Sequence, residues 1–295
     1  MRHTLAPMSF PGVLAIVPAF NEAPRLGPVI TGLKKLGLPV LVIDDGSTDG
    51  TVAFAREAGA EVLRQVNAGK GAALLAGCAR AAAQGYARVL LLDGDGQHDP
   101  REAPRLLAAA DRLAVDRAGI PRAQGLVIGR RLINVQRQPL LRWTVNRLSS
   151  LLVSMAAGAR IFDSQSGYRV CDPRLLLALP LHGRRYDLES EMCILAARAG
   201  VRIAEVPISV IYNGKRSGVH PFFDSLRFLR AVAVSFCNSR PRLRRWRAPV
   251  VEAPAAPKPS RAHAVPIFAM ARRRRPAAAG APRANGAARA KSSAA

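Results

Sequence analysis

The sequence has few cysteines and no long apolar run. Its four cysteines, Cys78, Cys171, Cys193 and Cys237, lie far apart without CxxC spacing. This pattern argues against a disulfide framework or a zinc site and predicts reduced thiols in a protein core. No apolar run reaches the roughly 18 residues that span a bilayer, and no signal peptide opens the chain. These absences predict a cytoplasmic protein that is not integral to a membrane.

Acidic residues are scarce: 20 Asp and Glu oppose 44 Lys and Arg, for a formal net charge of +24. Residues 240–295 hold 14 of the bases and a single acid, Glu252. This Pro/Ala/Arg-rich composition predicts a disordered basic tail over 241–295, preceded by a folded domain over 10–240. The charge favours contact with an anionic membrane surface. Aromatic residues make up only 5% and do not interleave the basic runs, so specific nucleic-acid binding is a remote alternative.

A dinucleotide-binding GxGxxG is missing after the first predicted strand, which instead ends in Phe20-Asn21-Glu22. This argues against a nicotinamide enzyme. The segment Asn67–Gly71 places Lys70 between two glycines at a predicted helix start, where a phosphate could bind, but without P-loop spacing.

Short aliphatic runs alternate with helix-type apolar spacing along the first half of the chain. This alternation predicts an α/β fold with a mostly parallel central sheet and helices on both faces. The predicted strands are 13–20, 39–47, 60–66, 87–95, 125–131 and 201–213, and the predicted helices between the early ones are 25–36, 51–58 and 71–84. Ligands bind at the carboxyl edge of such sheets, where polar residues follow three of the strands.

The segment VLLLDGDGQHDP, residues 89–100, carries the strongest chemical signal. Asp93 and Asp95 are alternate residues about 7 Å apart along an extended chain. With Gln97 they offer hard oxygen ligands suited to Mg²⁺ or Mn²⁺ and a diphosphate. A simple turn is the structural alternative. A calcium loop fails, because His98 and Pro104 occupy its glycine and glutamate positions. A haloacid-dehalogenase-like phosphatase remains a weak alternative, since its later pair of acids is missing.

After the second strand, Asp44–Thr51 reads DDGSTDGT. Its carboxylates would suit the base or ribose of a nucleotide, although Ser47, Thr48 or Asp49 would also serve as a cap for the next helix.

The segments PAFNE, DDGSTDGT, NAGKG and LLLDGDGQHDP, in this order and spacing, resemble a family 2 glycosyltransferase over residues 13–100. The chain is most similar to the polyprenyl-phosphate (dolichyl-phosphate-type) mannosyl- and glucosyltransferases. The later segments GRR, DSQSGYRV and ESEMCILAARAGVRIAEVPI support this more loosely. The resemblance implies a GT-A-like, nucleotide-diphospho-sugar transferase fold and inverting transfer of a hexose from a nucleotide-sugar donor.

The resemblance also implies site roles. Asp95 and Gln97 would bind the metal on the donor diphosphate, which makes Asp95 a catalytic residue as well. The donor itself would be held by Pro18, Phe20, Asn21, Glu22, Asp45, Lys70, Asp93 and Gly94.

The acceptor would be a lipid-linked phosphate, with a glycan or other hydroxyl acceptor as the alternative. Arg130, Arg142 and Lys215 or Arg216 are candidates to hold its phosphate, because guanidinium groups match phosphate geometry. Glu191 is the candidate general base, although an ionised phosphate needs none. An amphipathic helix near 221–238 is predicted either to pack on the body or to lie in a membrane interface. The expected location is the inner face of the plasma membrane.

Overall fold

The computed structural model describes residues 10–115, 125–132, 140–183, 187–211, 228–230 and 232–234. The chain divides into two compact units, Met1–Ala256 and Pro257–Ala295, and every described residue belongs to the first. The predicted tail, Cys237 and the candidates Lys215 and Arg216 lie outside the described residues, as does most of the predicted helix near 221–238.

A seven-stranded sheet forms the centre of the described structure, in the order β3-β2-β1-β4-β6-β5-β7. Its strands run parallel except β6, which is antiparallel to both of its neighbours. The predicted mostly parallel sheet is therefore confirmed. The strands are β1 Val13–Ala19, β2 Val40–Asp44, β3 Glu61–Arg64, β4 Arg88–Leu91, β5 Leu126–Arg131, β6 Arg169–Cys171 and β7 Ile203–Ile208.

Helices cover both faces of the sheet, as predicted. They are α1 Ala23–Lys35, α2 Thr51–Glu57, α3 Lys70–Ala83, α4 Ala103–Leu113, α5 Leu140–Ala157, α6 Pro173–Ala178 and α7 Leu188–Arg198. Along β1, Leu14 and Ile16 face a core shared with α3, α5, α6 and α7. Val13, Ala15 and Val17 face a second core shared with α1 and α4. Because both faces of β1 are buried, its sequence is a continuous aliphatic run.

Three cysteines, Cys78, Cys171 and Cys193, are free and buried, which confirms the prediction of core thiols for the described part of the chain. Burial raises the pKa of the Cys78 thiol to about 12. A thiol that holds its proton this firmly is a poor nucleophile and a poor metal ligand at neutral pH.

The described residues 228–230 and 232–234 are helical. Phe228 and Val232, one helical turn apart, pack against the core that α3 and α5 share. The neighbouring Leu229 and Ala233 are exposed. The row of side chains that packs on the core therefore begins with Phe228. Apolar spacing alone does not show which row of this helix faces the core. In the described part of the chain, no helix is both long and apolar enough to cross a membrane.

Two helical glycines offer a matched test of the packing of α3 on the sheet. A Cβ at Gly77 would lie 2.6 Å from Ile16 Cγ2, whereas a Cβ at Gly27 would meet no atom within 4 Å. We expect Gly77→Ala to lower the free energy of unfolding by about 1–3 kcal/mol through overpacking. Gly27→Ala should raise it by up to about 1 kcal/mol through helix propensity. Urea unfolding measures both, and a shift in the same direction would contradict this packing.

Candidate active site

Hydrogen bonds between the polar residues that follow β1 and β2 connect the ends of these two strands. Asn21, with a left-handed φ of 54°, donates its backbone N–H to Ser47 Oγ at 2.9 Å. Its Oδ1 accepts from the backbone N–H of Thr48 at 2.9 Å. The Glu22 N–H donates to Thr51 Oγ1 at 2.9 Å. Asn21 and Glu22, both predicted donor contacts, therefore fix the relative position of these two strand ends.

Asp45 shapes the loop that leads into α3. Its carboxylate is buried and accepts from the backbone N–H groups of Ala68 and Gly69 at 2.8 and 2.9 Å, and from Gln65 Nε2 at 2.8 Å. These bonds set the direction in which Lys70, the first residue of α3, enters the site. Asp45 itself was predicted to contact the nucleotide, and that contact stays a prediction.

Lys70 lies between two carboxylates from distant parts of the chain. Its Nζ is 2.8 Å from Asp93 Oδ1, beyond β4, and 2.6 Å from Glu189 Oε1, in the first turn of α7. Burial alone would lower the pKa of Lys70, but the two carboxylates outweigh it and raise that pKa above its ordinary value. Burial likewise opposes the charge of Asp93, but the charge of Lys70, with a smaller contribution from Arg131, lowers its pKa. Lys70 and Asp93 are therefore held in their charged forms.

The other side of the Asp93 carboxylate is closely packed. His98 Nε2 lies 4.0 Å from Asp93 Oδ2, and the His98 ring lies 5.4 Å from the ring of Tyr168. Burial lowers the pKa of His98, so this imidazole is neutral at pH 7. A Cβ at Gly167 would lie 2.5 Å from both Asp93 oxygens. Only glycine therefore leaves room for this carboxylate.

Asp95 and Gln97 stand in the loop just after Asp93, and both are half-buried. Asp95 Oδ1 accepts from the Gln97 N–H at 3.0 Å, and Gln97 O accepts from the Ile211 N–H at 2.9 Å. Among the described residues, no three His, Cys, Asp or Glu side chains group as a metal site. One carboxylate and one amide nevertheless fit Mg²⁺ or Mn²⁺, because such ions complete their shell with water and substrate phosphates.

The remaining predicted donor residues line the start of the same edge. Pro18 is buried within β1, and Phe20 just beyond that strand is 46% exposed. A Cβ at Gly94 would lie 3.1 Å from Pro18 O, so the absence of a side chain lets this loop approach β1.

Arg131 and Asp163 form a bidentate ion pair. Neither residue was among the site residues predicted from the sequence. Arg131 Nε is 2.8 Å from Asp163 Oδ2, and a terminal nitrogen is 2.8 Å from Oδ1. Burial opposes both charges, but their mutual attraction raises the pKa of Arg131 and lowers that of Asp163. The charge of Arg131 also acts on Asp93. In the sequence, Arg131 was marked only by its position in the segment GRR, at the end of β5.

Of the predicted acceptor-binding residues, the structure describes the side chain of Arg130 alone. The Arg130 guanidinium carbon stands 5.0 Å from the centroid of the Phe162 ring. Arg142 belongs to α5, but its side chain is outside the described structure, as are Lys215 and Arg216.

Glu191 and Glu189 have different surroundings. Glu191, the candidate base, is buried and accepts from the backbone N–H groups of His182 and Gly183 at 2.8 and 2.7 Å. Its carboxylate holds the loop before α7. Glu189 is the acid of this pair that contacts Lys70. The structure therefore brings Glu189, and not Glu191, to the cluster around Asp93.

Comparison with known proteins decides the family. A family model described as Glycosyl transferase family 2 matches residues 14–139. Undecaprenyl-phosphate mannosyltransferase of Micrococcus luteus is 32% identical over 214 residues, which cover 68% of this chain and 83% of that protein. The chain belongs to glycosyl transferase family 2. This membership makes it a glycosyltransferase and replaces the haloacid-dehalogenase-like alternative.

Two further comparisons concern a second relative and the fold. Polyprenol monophosphomannose synthase of Mycolicibacterium smegmatis is 32% identical over 212 residues, covering 66% of this chain and 76% of that protein. The fold resembles that of glucosyl-3-phosphoglycerate synthase from Mycobacterium tuberculosis in a complex with Mn²⁺, uridine diphosphate and phosphoglyceric acid. That match has a TM-score of 0.58 and 24% identity, and covers 77% of this chain and 78% of the other. The predicted GT-A-like fold is confirmed.

Glu189 and Glu191 provide a matched pair of substitutions. In Glu189→Gln, Lys70 loses a charged partner at the cluster, and we expect kcat for sugar transfer to fall at least about tenfold. In Glu191→Gln, a buried acceptor of two backbone N–H groups is weakened. We expect this variant to lose about 1–3 kcal/mol of stability while its folded fraction keeps its kcat. Steady-state kinetics and urea unfolding together decide, and the reverse pattern would make Glu191 the site acid.

The Arg131–Asp163 pair predicts an acid-dependent loss of stability. Because the folded pKa of Asp163 is depressed below 3.8, the pair stabilises the fold above that pH and is lost as pH falls through the folded value. We expect Asp163→Asn to be less stable at neutral pH but to show a flatter decline below pH 3.8. The exposed Asp111 provides the control, Asp111→Asn. Urea unfolding from neutral to acid pH measures the slopes, and equal slopes in all three proteins would refute the pair's contribution.

Proposed function

We propose that this glycosyltransferase moves a hexose from a nucleotide-sugar to a polyprenyl phosphate, with inversion and with a divalent metal, at the cytoplasmic face of the membrane. The observation that carries the proposal is the Asp93–Lys70–Glu189 cluster beside Asp95 at the carboxyl edge of the sheet. The names of the Micrococcus and Mycolicibacterium relatives support the polyprenyl-phosphate acceptor.

The charge of the site favours a divalent cation. Four carboxylates (Asp93, Asp95, Asp163 and Glu189) lie near three cations (Lys70, Arg131 and the buried Arg169), which leaves one formal excess negative charge where the pKa of His98 keeps it neutral. Asp95 and Gln97 would hold Mg²⁺ or Mn²⁺ there. When bound, the metal neutralises charge on the leaving diphosphate. The presence of Mn²⁺ and uridine diphosphate in the complex of the Mycobacterium fold neighbour supports the use of a divalent metal.

The protein side chains have separate tasks in the transfer. Lys70 keeps Asp93 ionised and fixed, so that its carboxylate can accept from donor hydroxyl groups. Arg131, held in one orientation by Asp163, adds positive charge near the position of the leaving group. The loops of Asn21, Glu22 and Asp45 would position the nucleotide at the neighbouring strand ends.

A phosphate acceptor agrees with the state of Glu189. Its carboxylate oxygens are inaccessible to solvent, and one of them contacts Lys70, so this acid is poorly placed to take a proton from a hydroxyl group. An ionised phosphate oxygen needs no base. It forms the bond to the anomeric carbon while the bond from that carbon to the diphosphate breaks, and the electron pair leaves with the nucleoside diphosphate.

Two aspartates of the same loop test the metal site. Asp99 caps the short helix at Pro100–Glu102 and pairs with the exposed Arg101, so Asp99→Asn keeps the cap and serves as the control. We expect Asp95→Asn to lower kcat by about 100-fold or more, because a bound metal supplies several kcal/mol. Asp99→Asn should retain near-normal turnover. The measurement is nucleotide release from a panel of sugar nucleotides with Mn²⁺ and polyprenyl phosphate.

Three results would count against the proposal. Full turnover by Asp95→Asn would remove Asp95 from the metal site, and undiminished turnover in a chelator would remove the metal. Transfer to a glycan or other hydroxyl acceptor, with polyprenyl phosphate inert, would contradict the acceptor.

A further inference from the structure

Helix α5 carries an exposed apolar row on one side. Val145, Leu148, Leu151 and Met155 are 47–61% exposed and recur at three- and four-residue spacing. The opposite side of the helix, through Val153, Ala156 and Ala157, is buried in the core. From Val145 to Met155 the row extends about 15 Å along the helix axis. Scattered exposed apolar residues are ordinary, but a continuous row along one helix indicates a binding surface.

Two arginines stand over one aromatic ring just beyond this helix. The guanidinium carbons of Arg130 and Arg160 lie 5.0 and 4.6 Å from the centroid of the Phe162 ring. Phe162 is held in place because its backbone N–H donates to both Glu205 oxygens, at 2.9 and 3.0 Å. In the described part of the chain, neither guanidinium forms a hydrogen bond or a close ion pair with a side chain, in contrast to Arg131, although the charge of Arg130 acts on the Glu205 carboxylate. We refer to Arg130 and Arg160 as the arginine pair.

The arginine pair is suited to an anion with several oxygens. Since both carbons lie about 5 Å from one centroid, they are at most about 10 Å apart, within a Debye length at moderate salt, and their charges repel. A phosphate group relieves this repulsion, because guanidinium groups donate paired N–H bonds to its oxygens. Stacking on a fixed ring orients both groups before the anion arrives.

The charge of α5 agrees with an anionic ligand. Its sequence contains Arg142 and Arg147 and no aspartate or glutamate. Arg160 follows three residues after α5 ends at Ala157. An apolar row with cations along and beyond it complements a molecule with an apolar chain and a phosphate head. A second copy of this chain would bring like charges together across the same surface and fits less well.

We propose that the α5 row and the arginine pair together bind a lipid phosphate, with the phosphate on Arg130 and Arg160 and the apolar chain along Leu148, Leu151 and Met155. This inference rests on the proposed function for the role of that lipid as acceptor, but the binding itself does not depend on sugar transfer. It places lipid contact on α5. The helix near 221–238, which the sequence predicted either to pack on the body or to lie in a membrane interface, packs on the core through Phe228 and Val232.

Vesicle flotation of the full chain tests the proposal. Neutral phosphatidylcholine vesicles, with and without a small fraction of polyprenyl phosphate, are compared at about 0.5 M salt, where the Debye length of about 4 Å suppresses long-range attraction by other basic residues. We expect Leu151→Gln/Met155→Gln to lower partition onto both vesicles about tenfold, since two apolar side chains lose their burial. Arg160→Gln should lower the preference for the phosphate-bearing vesicles about fivefold.

Matched controls come from exposed residues on other helices. Leu177→Gln on α6 removes an apolar side chain of similar exposure, and Arg56→Gln on α2 removes an exposed cation. Both should float like the unaltered chain. Unaltered melting temperatures in the α5 and Arg160 variants show that binding is lost without loss of fold.

Several outcomes would overturn the proposal. These are equal flotation of all variants, no flotation of the unaltered chain, or equally tight binding of a soluble phosphate monoester such as glycerol phosphate. Self-association that Leu151→Gln/Met155→Gln abolishes in lipid-free solution would assign the row to a second copy instead. Calorimetric binding of sugar nucleotides separates the two proposals, because its failure in the unaltered chain would count against the proposed function alone.

Discussion

The site depends on one half-buried ammonium group, that of Lys70. Lys70 joins Asp93, at the end of a central strand, to Glu189, at the start of the last described long helix. Removing one member of such a cluster leaves an uncompensated charge, which is far more costly than removing all of them. The neighbouring features serve this arrangement. Asp45 directs the loop before Lys70, Gly167 leaves space for the Asp93 carboxylate, and Arg131 is held nearby by Asp163.

The same arrangement explains how so basic a protein can offer the proposed cation site. The chain carries a formal net charge of +24, yet the carboxylates Asp93, Asp95, Asp163 and Glu189 outnumber the cations Lys70, Arg131 and Arg169 by one. The positive charge is placed elsewhere, including the arginine pair over Phe162. This separation suits a donor that arrives with a divalent cation and an acceptor that arrives as an anion.

Much of the fold follows from the sequence, because strands buried on both faces are continuous aliphatic runs that end where ligands bind. The exceptions are short: β6 has three residues and α6 has six, too few for a periodic signal. The site was harder to predict, for a geometric reason. Glu189 and Glu191 lie two residues apart on a helix, and Arg130 and Arg131 are adjacent on a strand, so the members of each pair point to different sides. Sequence gives this alternation, but only the packing decides which member faces the donor.

The stereochemistry of the product tests the central claim most directly. A nucleotide-sugar of known anomeric configuration is incubated with the full chain, Mn²⁺ and polyprenyl phosphate, and the lipid product is characterised by NMR at the anomeric position. We expect a hexosyl phosphate linked to the polyprenol, with the configuration opposite to that of the donor. A product with retained configuration, or free hexose without a glycosylated lipid, would contradict that claim.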